Sequence, residues 1–239
     1  MAPDLNYFYS ARIYGEHCIL SEDESRHAIK SLRMKTGDHL QLIDGKGYRY
    51  NAVINKIING YCEVDVRDKI YVTEREFSIH VAVAIPKKIA RFEWLLEKIT
   101  ETGVDKITPL ICHHSERVRV NMERLNKILI SAMKQSQRAK LPLLSEAVNI
   151  NHFIVSQNAK SAFIALCNSE APSELKHLKE VYPRGNDATI IIGPEGGFTS
   201  DEINTALANS FEPVSFSHFR LRTETAALLA CQIINLQNQ

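Results

Sequence analysis

Ile190-Ile191-Ile192-Gly193-Pro194-Glu195-Gly196-Gly197-Phe198, followed after one short helical stretch by Leu221-Arg222-Thr223-Glu224-Thr225-Ala226, is the pair of phrases from which the fold is read. Each describes a strand running into a tight loop that opens a helix. Glycines let main chain approach a ligand closely, and the first amides of a helix have no partner inside it. Thr199-Ser200-Asp201-Glu202 fits a capping box, so a helix is expected to start at Ser200 with Thr199 as its N-cap. Thr223 is expected to cap the next helix, whose Ala226, Leu229, Ala230 and Ile233 share one face. Two such loops side by side make a pocket built largely from main chain.

Working outward, the order of elements changes near residue 72. Before it, strand-like runs at 39–43, 48–58 and 61–66 are separated by Asp44-Gly45 and Asn59-Gly60, both hairpin signals, with a helix expected over 22–34. Beyond residue 77, apolar runs at 77–86, 106–112, 161–167, 188–193 and 213–217 alternate with helical patterns such as Phe92, Leu95, Leu96 and Ile99. Continuous apolar strands alternating with helices indicate a parallel sheet in an α/β domain. Trp94, among those residues, is expected in the core.

Composition is that of a globular protein, 44% apolar and 24% charged, and no run approaches the length of a membrane span. Five cysteines (Cys18, Cys62, Cys112, Cys167, Cys231) lie far apart without a CxxC pair, which fits reduced thiols rather than a disulfide framework or zinc site. The start lacks the basic and apolar segments of a secretory leader, so a cytoplasmic location is expected. His113-His114 would point to opposite faces of a strand, and no metal is expected. GxxxxGK[ST] and GxSxG are both missing, which argues against a phosphate-loop nucleotidase and an acyl-transfer hydrolase. Net charge is +1 over 239 residues but uneven: −1 over 1–85, +6 over 86–140 and −4 over 141–239. A basic middle third is the footprint of a phosphate-binding face.

The two quoted phrases together resemble the signature of the SPOUT-type ribosomal RNA methyltransferases that modify N3 of a uridine in 16S RNA. The similarity continues through Glu24-Ser25-Arg26-His27, Leu32-Arg33-Met34-Lys35, Pro86-Lys87, Arg91, Glu93-Trp94, Gln135-Ser136 and Arg138. The chain departs from the family at Phe216-Ser217-His218-Phe219, where many members carry Leu-Gly, and Arg220 is displaced by one. The resemblance implies a PUA-like β-barrel RNA-binding domain over 1–72 and a SPOUT α/β trefoil-knot methyltransferase domain over 73–239. It implies S-adenosylmethionine as cofactor, 16S rRNA of the small subunit as substrate, and a homodimer.

For the cofactor the expected residues are Leu166, Ile192, Gly193, Pro194, Glu195, Gly196, Gly197, Phe216, Ser217, Leu221, Arg222 and Thr223. For catalysis they are Arg222, whose fork of donors suits charge on uracil oxygens, and Glu224 as base or orienter. For RNA they are Arg33, Lys87, Arg91, Arg117, Arg124, Lys134 and Arg138. Two alternatives stay open: a SPOUT enzyme acting at another RNA position, and a silent RNA-binding assembly factor that keeps the fold.

Overall fold

The computed structural model describes residues 6–72, 75–157, 160–167 and 174–239. It divides into two compact units, one of residues 1–74 and 130–141, the other of residues 75–129 and 142–239.

The first unit holds β1 (Tyr7–Tyr9), β2 (His17–Ile19), α1 (Glu22–Arg26), β3 (His39–Ile43), β4 (Tyr48–Ile58) and β5 (Tyr61–Tyr71). They form one sheet in the order β1-β3-β4-β5-β2, antiparallel except for the β1–β3 pair. Asn59 and Gly60 both have positive φ, 51° and 83°, as a two-residue hairpin between right-twisted strands requires. The turn at Asp44-Gly45 is built differently: Asp44 Oδ1 accepts the amides of Lys46 (2.7 Å) and Tyr48 (3.1 Å). β5 runs on to Tyr71, five residues past the expected run, because β4 offers it a partner along its whole length. The helix expected over 22–34 is shorter: α1 passes into a π-helical turn, His27–Ser31, and Arg33 turns left-handed at φ 55°. Phe8, Leu40, Leu42, Ile54 and Val64 fill the core.

Residues 130–141, which the sequence reading places in the second domain, complete a smaller cluster of this unit. Met133 and Ala139 are buried with Ile43, and Tyr7, Tyr9 and Leu141 pack around them. The Leu141 amide donates to the Gly45 carbonyl (2.9 Å), and the Gly47 amide to that of Ala139 (3.1 Å).

After the first unit's strands, the chain continues as β6 (Ile79–Ala84), α2 (Ile89–Thr102), β7 (Lys106–Ile111), α3 (Met122–Gln135), β8 (Leu143–Leu144), β9 (Val148–Asn149), α4 (Ile150–Ser156) and β10 (Ala162–Ala165). It closes with β11 (Lys176–His177), α5 (Leu178–Val181), β12 (Ala188–Ile192), α6 (Ser200–Ala208), β13 (Glu212–Ser215) and α7 (Thr223–Gln237). The sheet is parallel throughout, in the order β11-β13-β10-β12-β6-β7-β8, with β9 also on β7. Every residue of β6 and β12 is buried, which is why both read as unbroken apolar runs. On α2, Phe92, Leu95, Leu96 and Ile99 are fully buried, whereas Trp94 is 42% exposed. Its position between Phe92 and Leu95 turns it off their stripe, contrary to the core placement expected of it.

The amino ends of these strands are closed by side chains. The Asp105 carboxylate accepts the Ile79 amide (2.9 Å) and pairs with Arg75. Asp187 Oδ1 accepts both the amide and the hydroxyl of Ser78, each at 2.7 Å. His80 Nε2 meets Thr108 Oγ1 at 2.8 Å, and its ring lies edge-on to Phe153. Burial, reinforced by the Lys106 charge, pushes the His80 pKa down to about 3, so the imidazole stays neutral at ordinary pH.

Candidate active site

At the carboxyl ends of the strands the chain does the opposite and leaves main chain open. β12 ends at Ile192, and the Gly197 amide closes a turn by donating to the Pro194 carbonyl (3.0 Å). Gly197 sits at φ 76°, a left-handed conformation that disfavours a Cβ. Gly193 is restricted for another reason: a Cβ there would lie 2.9 Å from the Phe198 ring. The expected capping box is present. The Glu202 amide donates to Thr199 Oγ1 (3.2 Å), and the Thr199 amide to Glu202 Oε2 (2.9 Å). Glu202 Oε1 also accepts the His113 amide (2.8 Å), tying the loop after β7 to the start of α6.

The second loop, residues 216–222, leaves β13. The His177 ring meets the Phe216 carbonyl (3.0 Å), the Phe219 amide donates to Ser217 Oγ (3.1 Å), and Arg220 donates to the Glu195 carbonyl (3.2 Å). The N-cap of α7 is Arg222, not Thr223 as expected, and the Arg222 side chain makes no cap bond. Thr223 is the first helical residue, and its hydroxyl is spent on the Gly193 carbonyl (2.9 Å), bracing one loop against the other. Among the described residues the first amides of α7 therefore have no capping side chain, as suits the approach of a polar ligand.

Between the loops lies a cavity of about 500 Å³, lined by residues 165–167, 192–195, 197–198, 216–223 and 226. Its floor is apolar, since Leu166 and Phe198 belong to the core cluster that includes Ile164, Ile191 and Phe211. Of the expected cofactor residues, Leu166, Ile192, Gly193, Pro194, Glu195, Gly197, Phe216, Ser217, Leu221, Arg222 and Thr223 line it. Gly196 does not: a Cβ there would stand 3.0 Å from His114 Cβ, on the side where the His114 ring meets the Gly197 carbonyl (3.1 Å). Ala165, Cys167, Phe198, His218, Phe219, Arg220 and Ala226 line it without having been singled out. Ala165 and Cys167 flank the expected Leu166 and the others lie within or beside the quoted loops, so adjacency was the available signal.

The two candidate catalytic residues part company. Arg222 is exposed and lines the cavity. Glu224 is 6% exposed and absent from the lining, with Oε1 3.5 Å from Arg91 Nε. Its Oε2 is buried without a hydrogen-bond partner among the described residues. Arg91 also reaches Glu195 Oε1 (3.9 Å), so one guanidinium stands between a carboxylate of the first loop and one of the first turn of α7.

Several candidate RNA contacts are likewise engaged. Lys87 Nζ pairs with Glu116 (2.7 Å), and Arg124 forks onto Glu93, one arm at 2.8 Å. The Arg124 pairing holds the Glu93 carboxyl below its ordinary pKa. Arg117 Nε donates to the Lys87 carbonyl (3.3 Å). In the first unit Lys134 pairs with Glu24 (2.7 Å), Arg33 is exposed and Arg138 is half-buried.

Residues 73–235 match a family model described as an RNA methyltransferase domain, and residues 20–67 one described as an RNA methyltransferase PUA domain. The chain belongs to the RNA methyltransferase family. Ribosomal RNA small subunit methyltransferase E of Rickettsia conorii is 32% identical to it, over 91% of this chain and 88% of that one. The protein of that name from Buchnera aphidicola subsp. Acyrthosiphon pisum is 30% identical, over 95% and 87%. Among solved structures, a Porphyromonas gingivalis protein assigned as an rRNA-methyltransferase matches with a TM-score of 0.92 at 39% identity, over 98% of both chains. A Legionella pneumophila protein assigned as a methyltransferase, solved with bound S-adenosylmethionine (SAM), matches at 0.87 and 29%, again over 98% of both. For this RNA methyltransferase the expected fold, a PUA-like domain followed by a SPOUT-type parallel-sheet domain, holds.

Proposed function

We propose that the chain is an S-adenosylmethionine-dependent methyltransferase acting on N3 of a uridine in 16S rRNA of the small ribosomal subunit. The observation that carries this reading is the cavity between two main-chain loops at the carboxyl ends of a parallel sheet, where open α/β sheets place their ligands. Its volume falls in the range of roughly 300–1,000 Å³ typical of cofactor sites. The donor set fits the group: main chain of both loops for a purine edge, Leu166 and Phe198 for its faces, and uncapped α7 amides for polar atoms. When bound, the cofactor supplies an electrophilic methyl on sulfur.

The chain's own residues supply position and charge. Loops braced by Thr223 and Arg220 fix the pocket walls, and holding two reactants in attack geometry is worth roughly 7–11 kcal/mol. Arg222, on the same cavity, offers its guanidinium fork to charge growing on the uracil oxygens. Glu224 serves by holding Arg91, since its carboxylate is buried away from the lining. Gly196 acts through its small size against His114 rather than by touching the ligand.

Phosphate contacts to RNA are assigned to Arg33, Lys87, Arg91, Arg117, Arg124, Lys134 and Arg138. Lys87, Arg91, Arg124 and Lys134 contribute only where the RNA competes with their carboxylate partners. A homodimer is supported by α7, where Leu228 and Leu229 stay half-exposed and Leu236 is 63% exposed. A ribosomal substrate places the protein in the cytoplasm.

The test is tritium transfer from labelled SAM to small subunits taken from a strain lacking the gene. Primer extension across the 16S RNA then locates the product, because N3-methyluridine cannot pair and stops the polymerase. Transfer with a new stop at a uridine is expected; transfer without one would move the modification to another position.

A further inference from the structure

Phe219 is 82% exposed, more than any other large apolar side chain among the described residues, yet it also lines the cavity. Both statements hold only for a side chain at the cavity's mouth. Its neighbours in sequence, Ser217, His218 and Arg220, give the ring no apolar company, so the loop gains nothing in packing from a phenyl group here. The backbone that carries the ring is nonetheless held. The Phe219 amide is fixed on Ser217 Oγ, and Arg220 anchors the next residue to the Glu195 carbonyl across the cavity. Arg222, exposed, lines the same cavity.

An aromatic face beside a guanidinium fork is complementary to a flat ring with carbonyl oxygens on its edge. Enzymes that modify a base must take it out of its stack, and the extruded base is received by aromatic or apolar surfaces. We propose that Phe219 is the stacking platform for the target base, holding the plane of the uracil at the cavity mouth while Arg222 meets its carbonyl edge. The assignment rests on the reading of the chain as a uridine methyltransferase and adds to it the residue that receives the base.

The experiment uses the full chain with Phe219→Ala, Phe219→Leu and Phe219→Trp, unmethylated small ribosomal subunits and tritiated SAM. KM for subunits and kcat are measured beside SAM affinity by calorimetry. Loss of one base–aromatic stack predicts a KM raised about 10- to 100-fold in the Ala and Leu variants. The Trp variant should stay within about threefold of wild type and all three should bind SAM normally, because stacking needs a π face rather than bulk. A Leu variant equal to wild type overturns the platform, as does an unchanged KM in the Ala variant. Weakened self-association of the Ala variant with KM unchanged also overturns it, placing the ring against a second copy of the chain. If the wild type transfers no label, the underlying function falls and the platform with it; if the wild type transfers and the variants match it, the platform alone falls.

Discussion

The two ends of the parallel sheet solve opposite problems. At the amino ends, side chains close the structure: Asp105 serves Ile79 and Arg75, Asp187 serves Ser78, and His80 serves Thr108. At the carboxyl ends α7 opens without a cap bond from the Arg222 side chain, Phe219 and Arg222 stand in solvent, and a Glu224 oxygen is buried with no donor among the described residues. The same strands thus carry stability at one end and ligand recognition at the other.

The contrast breaks if changes at the closed end reach the ligand, or changes at the open end reach only stability. The largest effect is expected from Asp105→Ala, which strips a mostly buried Arg75 of its carboxylate; about 3–5 kcal/mol should be lost, read from the urea midpoint. SAM affinity of the folded fraction should stay within about twofold of wild type.

Next comes Gly197→Val. A β-branched residue at φ 76° strains the turn by roughly 1–3 kcal/mol and puts a side chain beside the cavity, so affinity for SAM should fall about 100-fold, or ~2.7 kcal/mol. A folded variant with wild-type affinity would place the pocket elsewhere.

Arg222→Ala should lower kcat about 30-fold, ~2 kcal/mol, with SAM affinity nearly unchanged, because its contact strengthens in the transition state. A rate at saturating substrate within a few-fold of wild type removes it from that role.

The last effect, read as a slope against pH, sharpens the closed end. His80 is held at a pKa of about 3 in the fold against about 6.5 unfolded. Below pH 6.5 the unfolded chain takes up a proton that the folded chain refuses, so stability falls as pH drops from 6.5 toward 3, by up to ~1.4 kcal/mol per pH unit. His80→Gln should flatten that part of the urea-midpoint profile between pH 7 and 4. Parallel profiles would show that another group sets the slope.

What the sequence made legible was local. Thr199 and Glu202 announce their capping box from three residues' separation, and Asn59-Gly60 its hairpin, because turn and cap chemistry is settled by neighbours. The cavity followed because both of its loops lay inside quoted phrases. Arg91 was read as a phosphate ligand because its carboxylate partners sit more than a hundred residues away, invisible to any window. Glu224 was read as base or orienter from its chemistry alone, because a sequence does not show that this first-turn side chain is buried. Thr223 went from cap to cross-brace for the same reason, its acceptor being Gly193 on another loop. Trp94 was misplaced by company: adjacency to Leu95 says nothing about which side of α2 a ring faces.

The inclusion of residues 130–141 in the first unit bears on the order in which a chain made from its amino end can fold. Ile43 is buried with Met133 and Ala139, and the edge at Gly45–Gly47 is hydrogen-bonded by Leu141 and Ala139. A nascent chain that has released residues 1–72 from the ribosome still lacks the pieces that finish that unit. Sixty or so further residues must emerge first. Cutting the chain after residue 72 would therefore leave a fragment with an exposed apolar seam, prone to aggregation rather than ready to work alone.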